Sequence, residues 1–370
     1  MKKILYFFLS LLLIAVSCKH EQTQQKIRVG VFAGNGASPI CILETLEALK
    51  IDTDIQGVSV SAVDIMRGKL DSLDVLIFPG GSGSKELNNL GISGAQKVKN
   101  FVRNGGRILG ICAGGYLLST TPTYPSLALA SAKNIDRKHY SRGRGLVEFS
   151  LTDKGLQIFP ELKNKRLFLQ YYDGPVLAPV DSTQMNYIEL ARYVSDIHAN
   201  KGIPSGITPG KTFMLTENIG KGKIFIVAGH PEATPGMRWM IARIVRYLYD
   251  GKIKDYSKWI RPQIYTHEIM FTSELKKKEK QFFWQLLSDT VDIRLAAMDS
   301  LHSLRSRPAV RWTIGMLRDT SALVRLKAAQ ILQETEYTAA LPDLKQAFID
   351  EKNPKVKAQL QKTIEFLSEF

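Results

Sequence analysis

Short apolar runs separated by turns and helix-start signals recur along the first third of the chain. The runs 27–32, 75–78 and 107–111 have the β-branched and aliphatic composition of strands that are buried on both faces of a sheet. Ser38-Pro39 is typical of a helix start. The helix that it opens carries four aliphatic residues at helical spacing, which predict its buried face: Ile40, Leu43, Leu46 and Leu49. This alternation predicts a doubly wound, mostly parallel α/β sheet.

Residues 146–227 are richer in strand patterns than in helix patterns. The candidate strands are 146–151, 166–171, 191–197, 212–215 and 223–227. Further helices are predicted at 95–103, which ends at an Asn-Gly-Gly stop signal, and at 235–249. We expect one α/β domain over residues 27–258.

After residue 258 a helical pattern recurs. Its basic positions Arg294, Arg325 and Lys357 are 31 and 32 residues apart. A period of this length built from helix pairs is typical of a solenoid. The pattern resembles HEAT repeats, in which an aspartate caps a helix and an arginine pairs with the neighbouring repeat. We expect HEAT-like helical repeats over 259–370 that bind a protein partner, with an irregular helical bundle as the alternative.

Residues 1–17 have the pattern of an export signal, in which a basic start precedes an apolar run too short to span a bilayer. The run ends in AVSC, which resembles the lipobox of bacterial lipoproteins, whose cysteine is acylated; Ala15 stands where leucine is commonest. We predict an exported bacterial lipoprotein anchored in a membrane of the cell envelope through Cys18, facing the periplasm or the cell surface, with 18–26 as a tether. A soluble secreted protein is the alternative.

Composition narrows the function classes. Of 370 residues, 44% are apolar and 23% are charged, which is ordinary for a globular chain and excludes wholesale disorder. The formal net charge is +15, but no basic run is interleaved with aromatic residues, so we predict a solvated basic surface and no nucleic-acid partner. The 3 cysteines cannot form a disulfide framework. The histidines lack metal-ligand spacing, so neither a metal nor a cofactor is expected.

One cysteine has the surroundings of a nucleophile. Cys112 follows a predicted strand, precedes a predicted helix, and is flanked by Gly110 and Gly114. This is the thiol form of a nucleophile elbow, in which small neighbours let the side chain project. The start of the following helix favours the thiolate. The N–H of Ala113 is predicted to form an oxyanion hole with that of Gly81, in the turn after the preceding strand.

A thiolate needs a base that also protonates the leaving group. His230 follows a predicted strand end, and Glu232 stands where it can orient the imidazole. The alternatives are that Cys112 is a small buried hydrophobe and that His230 is structural. Cys41, on the first predicted helix, is interpreted as a buried hydrophobe.

The motifs PGG, GxCAG and HPE together resemble the class I glutamine amidotransferase superfamily, and more closely the N-terminal domain family of biotin-protein ligases. The resemblance covers about 27–250 and implies that Cys112 is the nucleophile, His230 the general base and Glu232 its orienting partner. The segments around Arg142–Gly145 and Tyr171–Pro175 support it. Tyr116, Tyr172 and Asp173 are the expected pocket residues. Ligase activity is not implied, because the helical repeats follow residue 250 in place of a ligase catalytic domain.

The predicted location outside the cytoplasm argues against glutamine-dependent biosynthesis. An amidotransferase normally supplies ammonia to a synthetase that uses ATP, and an exported protein has no supply of ATP. The leading hypothesis is a membrane-anchored cysteine hydrolase that acts on a small-molecule or peptide amide through a thioester intermediate. The alternative is a non-catalytic lipoprotein that binds a small ligand or a protein with the same pocket and the repeats. Redox or stress roles of a reactive thiol are a further alternative.

Overall fold

The computed structural model describes residues 26–370. The predicted signal peptide, Cys18 and all but the last residue of the predicted tether lie outside this range. Twelve strands form one mixed sheet. They are β1 (Ile27–Phe32), β2 (Ile55–Val60), β3 (Val75–Phe78), β4 (Arg107–Ile111), β5 (Ala132–Asn134), β6 (Arg144–Leu151), β7 (Leu167–Tyr172), β8 (Leu177–Pro179), β9 (Ile188–Tyr193), β10 (Thr212–Ile219), β11 (Gly222–Val227) and β12 (Ile269–Met270).

The sheet is parallel in one half and antiparallel in the other. Strands β2, β1, β3, β4 and β11 lie side by side and parallel. Beyond β11, the strands β10, β9 and β6 continue antiparallel, and β7 and β12 both pair with β6. The expectation of a mostly parallel sheet is therefore corrected to a mixed one. The physical reason is that β10 and β11 form a tight hairpin, and a connection that short can join only antiparallel strands.

Helices cover both faces of the parallel half. The helices of residues 26–258 are α1 (Pro39–Leu49), α2 (Ala62–Met66), α3 (Gly83–Arg103), α4 (Ala113–Leu118), α5 (Asp153–Ile158) and α6 (Trp239–Tyr249). Residues of α1 and α6 pack into the core on one face, and residues of α3 and α4 pack into the core on the other. The carboxyl ends of the central parallel strands are left open, which is where α/β sheets place their sites.

The buried face of α1 differs from the predicted one. Leu43 is 41% exposed, whereas Cys41, Glu44, Thr45 and Ala48 are buried. The buried carboxylate of Glu44 is tolerated because it pairs with the guanidinium of Arg307, from the C-terminal part of the chain. The aliphatic pattern missed this, since the ion pair comes from a distant segment.

Two predicted helix limits also move, and glycine explains both. Helix α3 begins at Gly83, well before the predicted residue 95, and its two helical stretches meet at Gly91, where φ is 64°. Helix α6 begins at Trp239 and not at residue 235, because Gly236 has a φ of 73° and is left-handed.

Although the stretch 259–272 includes strand β12 of the sheet, the chain is helical from residue 273 onward, as predicted. Its helices are α7 (Ser273–Gln285), α8 (Val291–Ser303), α9 (Arg307–Met316), α10 (Ala322–Glu334), α11 (Leu341–Asp350) and α12 (Pro354–Leu367). The recurring arginines make contacts between repeats: Arg294 pairs with Asp319 at 2.8 Å, and Arg325 pairs with Glu351 at 2.7 Å. Among residues 26–370, no helix is both long enough and apolar enough to cross a bilayer.

The buried carboxylate of Asp52, just before the edge strand β2, is hydrogen-bonded to α6. Asp52 is fully buried and accepts hydrogen bonds from Arg246 at 2.6 Å, Tyr256 at 2.6 Å and Lys254 at 2.7 Å. Burial raises the pKa of Asp52, but these donors outweigh it and hold the pKa well below its ordinary value. The carboxylate therefore stabilises the fold while it stays ionised.

We predict that Asp52→Asn destabilises the fold by about 3 kcal/mol, because Arg246, Lys254 and Tyr256 lose the buried carboxylate that they share. The depressed pKa in the folded state means that this contribution is complete above the unfolded pKa of about 3.9 and is lost as the pH falls. Denaturant titrations from pH 7 to pH 3 should show a difference between wild type and variant that shrinks with acid. Asp250→Asn, at an exposed pair with Lys252, is the control. Equal effects of the two substitutions would contradict the prediction.

Candidate active site

Cys112 occupies a strained turn between β4 and α4. Its φ of 50° and ψ of −99° are rare for a residue with a side chain, and such strain collects at functional sites. Gly110 and Gly114 allow the backbone of this turn to lie close to neighbouring backbone atoms. A Cβ on Gly114 would lie 2.2 Å from the carbonyl oxygen of Phe78, and one on Gly110 would lie 2.7 Å from the backbone of Gly114. The GxCAG spacing therefore follows from close backbone packing around the cysteine.

The thiol of Cys112 is held at the bottom of a cleft. The residue is 6% exposed, and its Sγ donates to the carbonyl oxygen of Tyr172 at 3.3 Å. The N–H groups of Gly81 and Ala113, the predicted oxyanion donors, have no acceptor among the described residues. Gly81 lines the cleft beside Cys112. These two donors remain free for a developing negative charge.

His230 is fixed by the turn that follows β11. Its N–H donates to the carbonyl oxygen of Gln170 at 2.8 Å, and its own carbonyl oxygen accepts from the hydroxyl of Thr234 at 2.7 Å. The imidazole Nδ1 lies 2.7 Å from Oε1 of Glu232. His230 is 2% exposed and Glu232 is 1% exposed, so this hydrogen bond operates away from water.

The Glu232 carboxylate favours the imidazolium form of His230. Burial alone would lower the pKa of His230, but Glu232 and then Cys112 raise it, and the net pKa lies well above the ordinary 6.5. The Nε2 of His230 has no hydrogen-bond partner among the described residues. This nitrogen is therefore free to exchange a proton in the cleft that His230 and Cys112 both line.

Cys41 lies in the site, although the sequence favoured a purely apolar role. Its sulfur, the His230 ring and a Glu232 oxygen lie within 4.8 Å of one another. Burial raises the pKa of the Cys41 thiol, but the Arg307 guanidinium and His230 outweigh it, so the pKa lies below its ordinary value. Gly80 makes room for this cluster, because a Cβ there would lie 2.6 Å from the His230 ring.

Arg307 reaches the site from the first turn of α9. Its guanidinium donates to Glu44 and, at 3.3 Å, to the sulfur of Cys41. It lies 3.8 Å from a Glu232 oxygen and above the ring of Tyr172, 5.5 Å from the ring centre. The helical repeats therefore contribute a charged residue to the site, and nothing in the local sequence around Arg307 signals this.

Cysteine, histidine and glutamate are metal-ligand types, but their surroundings do not fit a cation. The Arg307 guanidinium already contacts Cys41 and lies beside Glu232, so it supplies the positive charge that a metal would bring. Glu232 in turn holds the His230 ring. We interpret the cluster as an ion-paired network.

The cleft above Cys112 has a volume of about 340 Å³, enough for a small substrate. Its walls come from both parts of the chain, and they are Ser38, Ile40, Cys41, Gly81, Cys112, Tyr172, His230, Arg307, Pro308 and Arg311. Of the three predicted pocket residues, Tyr172 lines the cleft. Tyr116 and Asp173 do not; the Tyr116 hydroxyl donates to the Asp173 carbonyl oxygen at 3.0 Å, and the Asp173 carboxylate accepts from the N–H of Gly143 at 2.7 Å. They support the cleft wall from behind.

Comparison with known proteins confirms both expected family resemblances. Residues 27–126 match the family model described as biotin-protein ligase, N terminal, and residues 280–365 match the model of HEAT repeats. The biotin–protein ligase of Schizosaccharomyces pombe is 26% identical over 157 residues, which cover 41% of this chain and 20% of that protein. The chain thus spans about a fifth of the length of this relative.

Solved structures show more distant likenesses. A β-galactosidase from Bacillus circulans sp. alkalophilus is 15% identical, with a TM-score of 0.37 over 64% of this chain and 32% of that one. A ThuA-like protein from Parabacteroides merdae is 12% identical, with a TM-score of 0.43 over 62% of this chain and 92% of that one. Both TM-scores are too low to transfer the function of either protein.

We predict that Glu232→Gln slows alkylation of Cys112 by iodoacetamide about tenfold near pH 7, because His230 loses the carboxylate that raises its pKa. The imidazolium that stabilises the thiolate would then be lost at a lower pH than in wild type. Alkylation rates at Cys112, measured by peptide mass across pH 6–10, should differ most near neutral pH and converge in alkali.

The control for this measurement is Glu274→Gln, an exposed carboxylate on α7 that pairs only with Lys278 among the described residues. It should alkylate like wild type. Indistinguishable profiles for Glu232→Gln and wild type would show that the carboxylate does not govern the reactivity of the thiol.

Proposed function

We propose that the protein is a cysteine hydrolase that acts on an amide through Cys112, His230 and Glu232. The observation that carries the proposal is the hydrogen bond between the buried His230 and Glu232, beside a cysteine held in a strained turn. Nucleophile, base and orienting carboxylate are the parts of a catalytic triad, which is recognised by the roles of its members and by their geometry.

In the first half of the reaction, the Cys112 thiolate attacks the carbonyl carbon of the substrate. A C–S bond forms, and the electron pair of the carbonyl moves to its oxygen, which faces the N–H groups of Gly81 and Ala113. The tetrahedral intermediate collapses as the C–N bond breaks. The His230 imidazolium gives its proton to the departing amine, and a thioester on Cys112 remains.

In the second half, water attacks the thioester. Neutral His230 takes a proton from the water as its oxygen bonds to the acyl carbon, and the C–S bond breaks to return the thiolate. Glu232 holds the ring with Nδ1 turned away from the cleft in both halves, so that Nε2 exchanges the proton. The His230 imidazolium and the Cys112 thiolate with which the first half began are restored.

The proposal places the α/β region among proteins resembling class I glutamine amidotransferases. Support comes from the order of strand, cysteine and helix, followed by the histidine and glutamate after a later strand of the parallel half. The ligase activity named for the yeast relative is not part of the proposal. The mechanism above needs only water as its second substrate, which suits a protein outside the cytoplasm.

Burial favours a second candidate, a binding module. Cys112 is 6% exposed and His230 is 2% exposed, so both groups are largely shielded from water, and the cleft could hold a ligand that does not react with them. Such a protein would retain its ligand without acylation of Cys112, which separates it from the hydrolase.

We further propose that an α/β unit near residues 27–258 and a repeat unit near 259–370 act together, exported and anchored through Cys18. The strand Ile269–Met270 pairs with β6, so the start of the segment 259–370 belongs to the sheet. The repeats would offer their outer surface to a protein partner.

We predict that an activated ester such as p-nitrophenyl acetate acetylates Cys112. Intact-mass and peptide-mass analysis should find the acetyl group there, and turnover should fall by about 10³-fold or more in Cys112→Ser, as losses of triad nucleophiles do. Cys41→Ser is the control and should keep the acetyl group on Cys112. Absence of acetylation at Cys112 in wild type would favour the binding module.

We predict that Cys18→Ser releases the protein from the membrane fraction or leaves it unprocessed, because no acyl chains can then be attached. Cell fractionation followed by intact-mass analysis of the N-terminus measures both outcomes. Cys41→Ser should fractionate like wild type. A Cys18→Ser protein retained on membranes to the same extent would refute the anchor.

A further inference from the structure

The first two turns of α9 (Arg307–Met316) bring two arginines to the cleft. Arg307 and Arg311 are four residues apart, so they lie on the same face of the helix, and both line the cleft of Cys112. Pro308 lies between them on the same wall. This wall belongs to the repeats, whereas the nucleophile belongs to the sheet.

The two arginines differ in how their charge is used. The side chain of Arg307 is 10% exposed, and its charge is matched by Glu44 and Glu232. Arg311 is exposed, and no carboxylate among residues 26–370 lies within salt-bridge distance of it. Glu232 also pairs with His230, so the two carboxylates Glu44 and Glu232 are balanced by Arg307 and His230. The positive charge of Arg311 is therefore not neutralised by either of them.

Other features of the wall also favour an anion. The lining of the cleft includes no carboxylate. The hydroxyl of Ser306, the N-cap residue of α9, donates to Glu279 at 2.6 Å and does not cap the first turn. The partial positive charge of the helix start therefore adds to that of Arg311. The Nε of Arg307, in a side chain nine-tenths buried, has no partner among the described residues.

We propose that the first two turns of α9 form an anion-binding subsite, in which Arg311 receives a carboxylate carried by the substrate of Cys112. A guanidinium binds a carboxylate through two parallel hydrogen bonds, so it fixes orientation as well as charge. The substrate class is then an amide that bears a carboxylate. That the bound molecule is a substrate rests on the proposed hydrolase function. The preference of the cleft for anions is independent of that function.

Two alkylating reagents test the subsite without turnover. Iodoacetate and iodoacetamide are nearly the same size, and in both the thiolate displaces iodide from the methylene carbon, but only iodoacetate is anionic. The measured quantity is the ratio of their rates at Cys112, divided by the same ratio for N-acetylcysteine. We expect wild type to exceed 1 and Arg311→Gln to lower the ratio about threefold, the effect of one exposed ion pair.

Further variants sharpen the result. Arg311→Lys should keep most of the preference, and Arg311→Glu should lower it below that of Arg311→Gln. Arg318→Gln is the matched control, since Arg318 is an exposed arginine of the same repeat that pairs with Asp343, and it should leave the ratio unchanged. Added salt should reduce the wild-type preference, because exposed charges are screened.

The outcomes separate this inference from the proposed function. An unchanged ratio in both Arg311→Gln and Arg311→Glu overturns the subsite, even where Cys112 turns over esters. Failure of both reagents to label wild-type Cys112 also overturns it, because the cleft would then be closed to small solutes. If the Arg311 variants lower the ratio but the wild-type protein hydrolyses no amide or ester, the subsite is supported and the hydrolase proposal is rejected.

Discussion

The site depends on one buried interaction, the hydrogen bond between Glu232 and His230. A carboxylate with 1% of its surface exposed is costly unless it is paired. Glu232 meets the imidazole on one side and lies 3.8 Å from the Arg307 guanidinium on the other. The same carboxylate therefore favours the imidazolium form of His230 and links the sheet to the repeats.

This link makes the repeats part of the site. Arg307 pairs with Glu44 of α1, and a second buried carboxylate, Glu336, contacts Arg261 and accepts from the N–H of Gly236 at 2.8 Å. Gly236 belongs to the turn between His230 and α6, so the repeats hold the segment that carries the base. A change in the position of the repeats relative to the sheet would therefore alter both the charge of the cleft and the position of the His230 imidazole.

The sequence revealed what depends on neighbouring residues and missed what depends on distant contacts. The glycines around Cys112, the turn after β11 and the period of the repeats are local patterns, and the structure contains the turn, the strand and the helices that they predict. The role of Cys41 could have been inferred, since α1 begins at the carboxyl end of β1, where sites of parallel sheets lie. Arg307 and Arg311 could not, because only the packing of α9 against the sheet brings them to Cys112.

The protonation state of His230 in the resting protein tests the central claim most directly. The chain has 6 histidines, so ¹⁵N-detected NMR spectra of wild type and His230→Gln would assign the signal of this ring by difference. The account predicts a signal typical of imidazolium at pH 7 in wild type, because the Glu232 carboxylate holds the pKa of His230 well above its ordinary value. A neutral ring at pH 7, titrating near 6.5 or below, would contradict it.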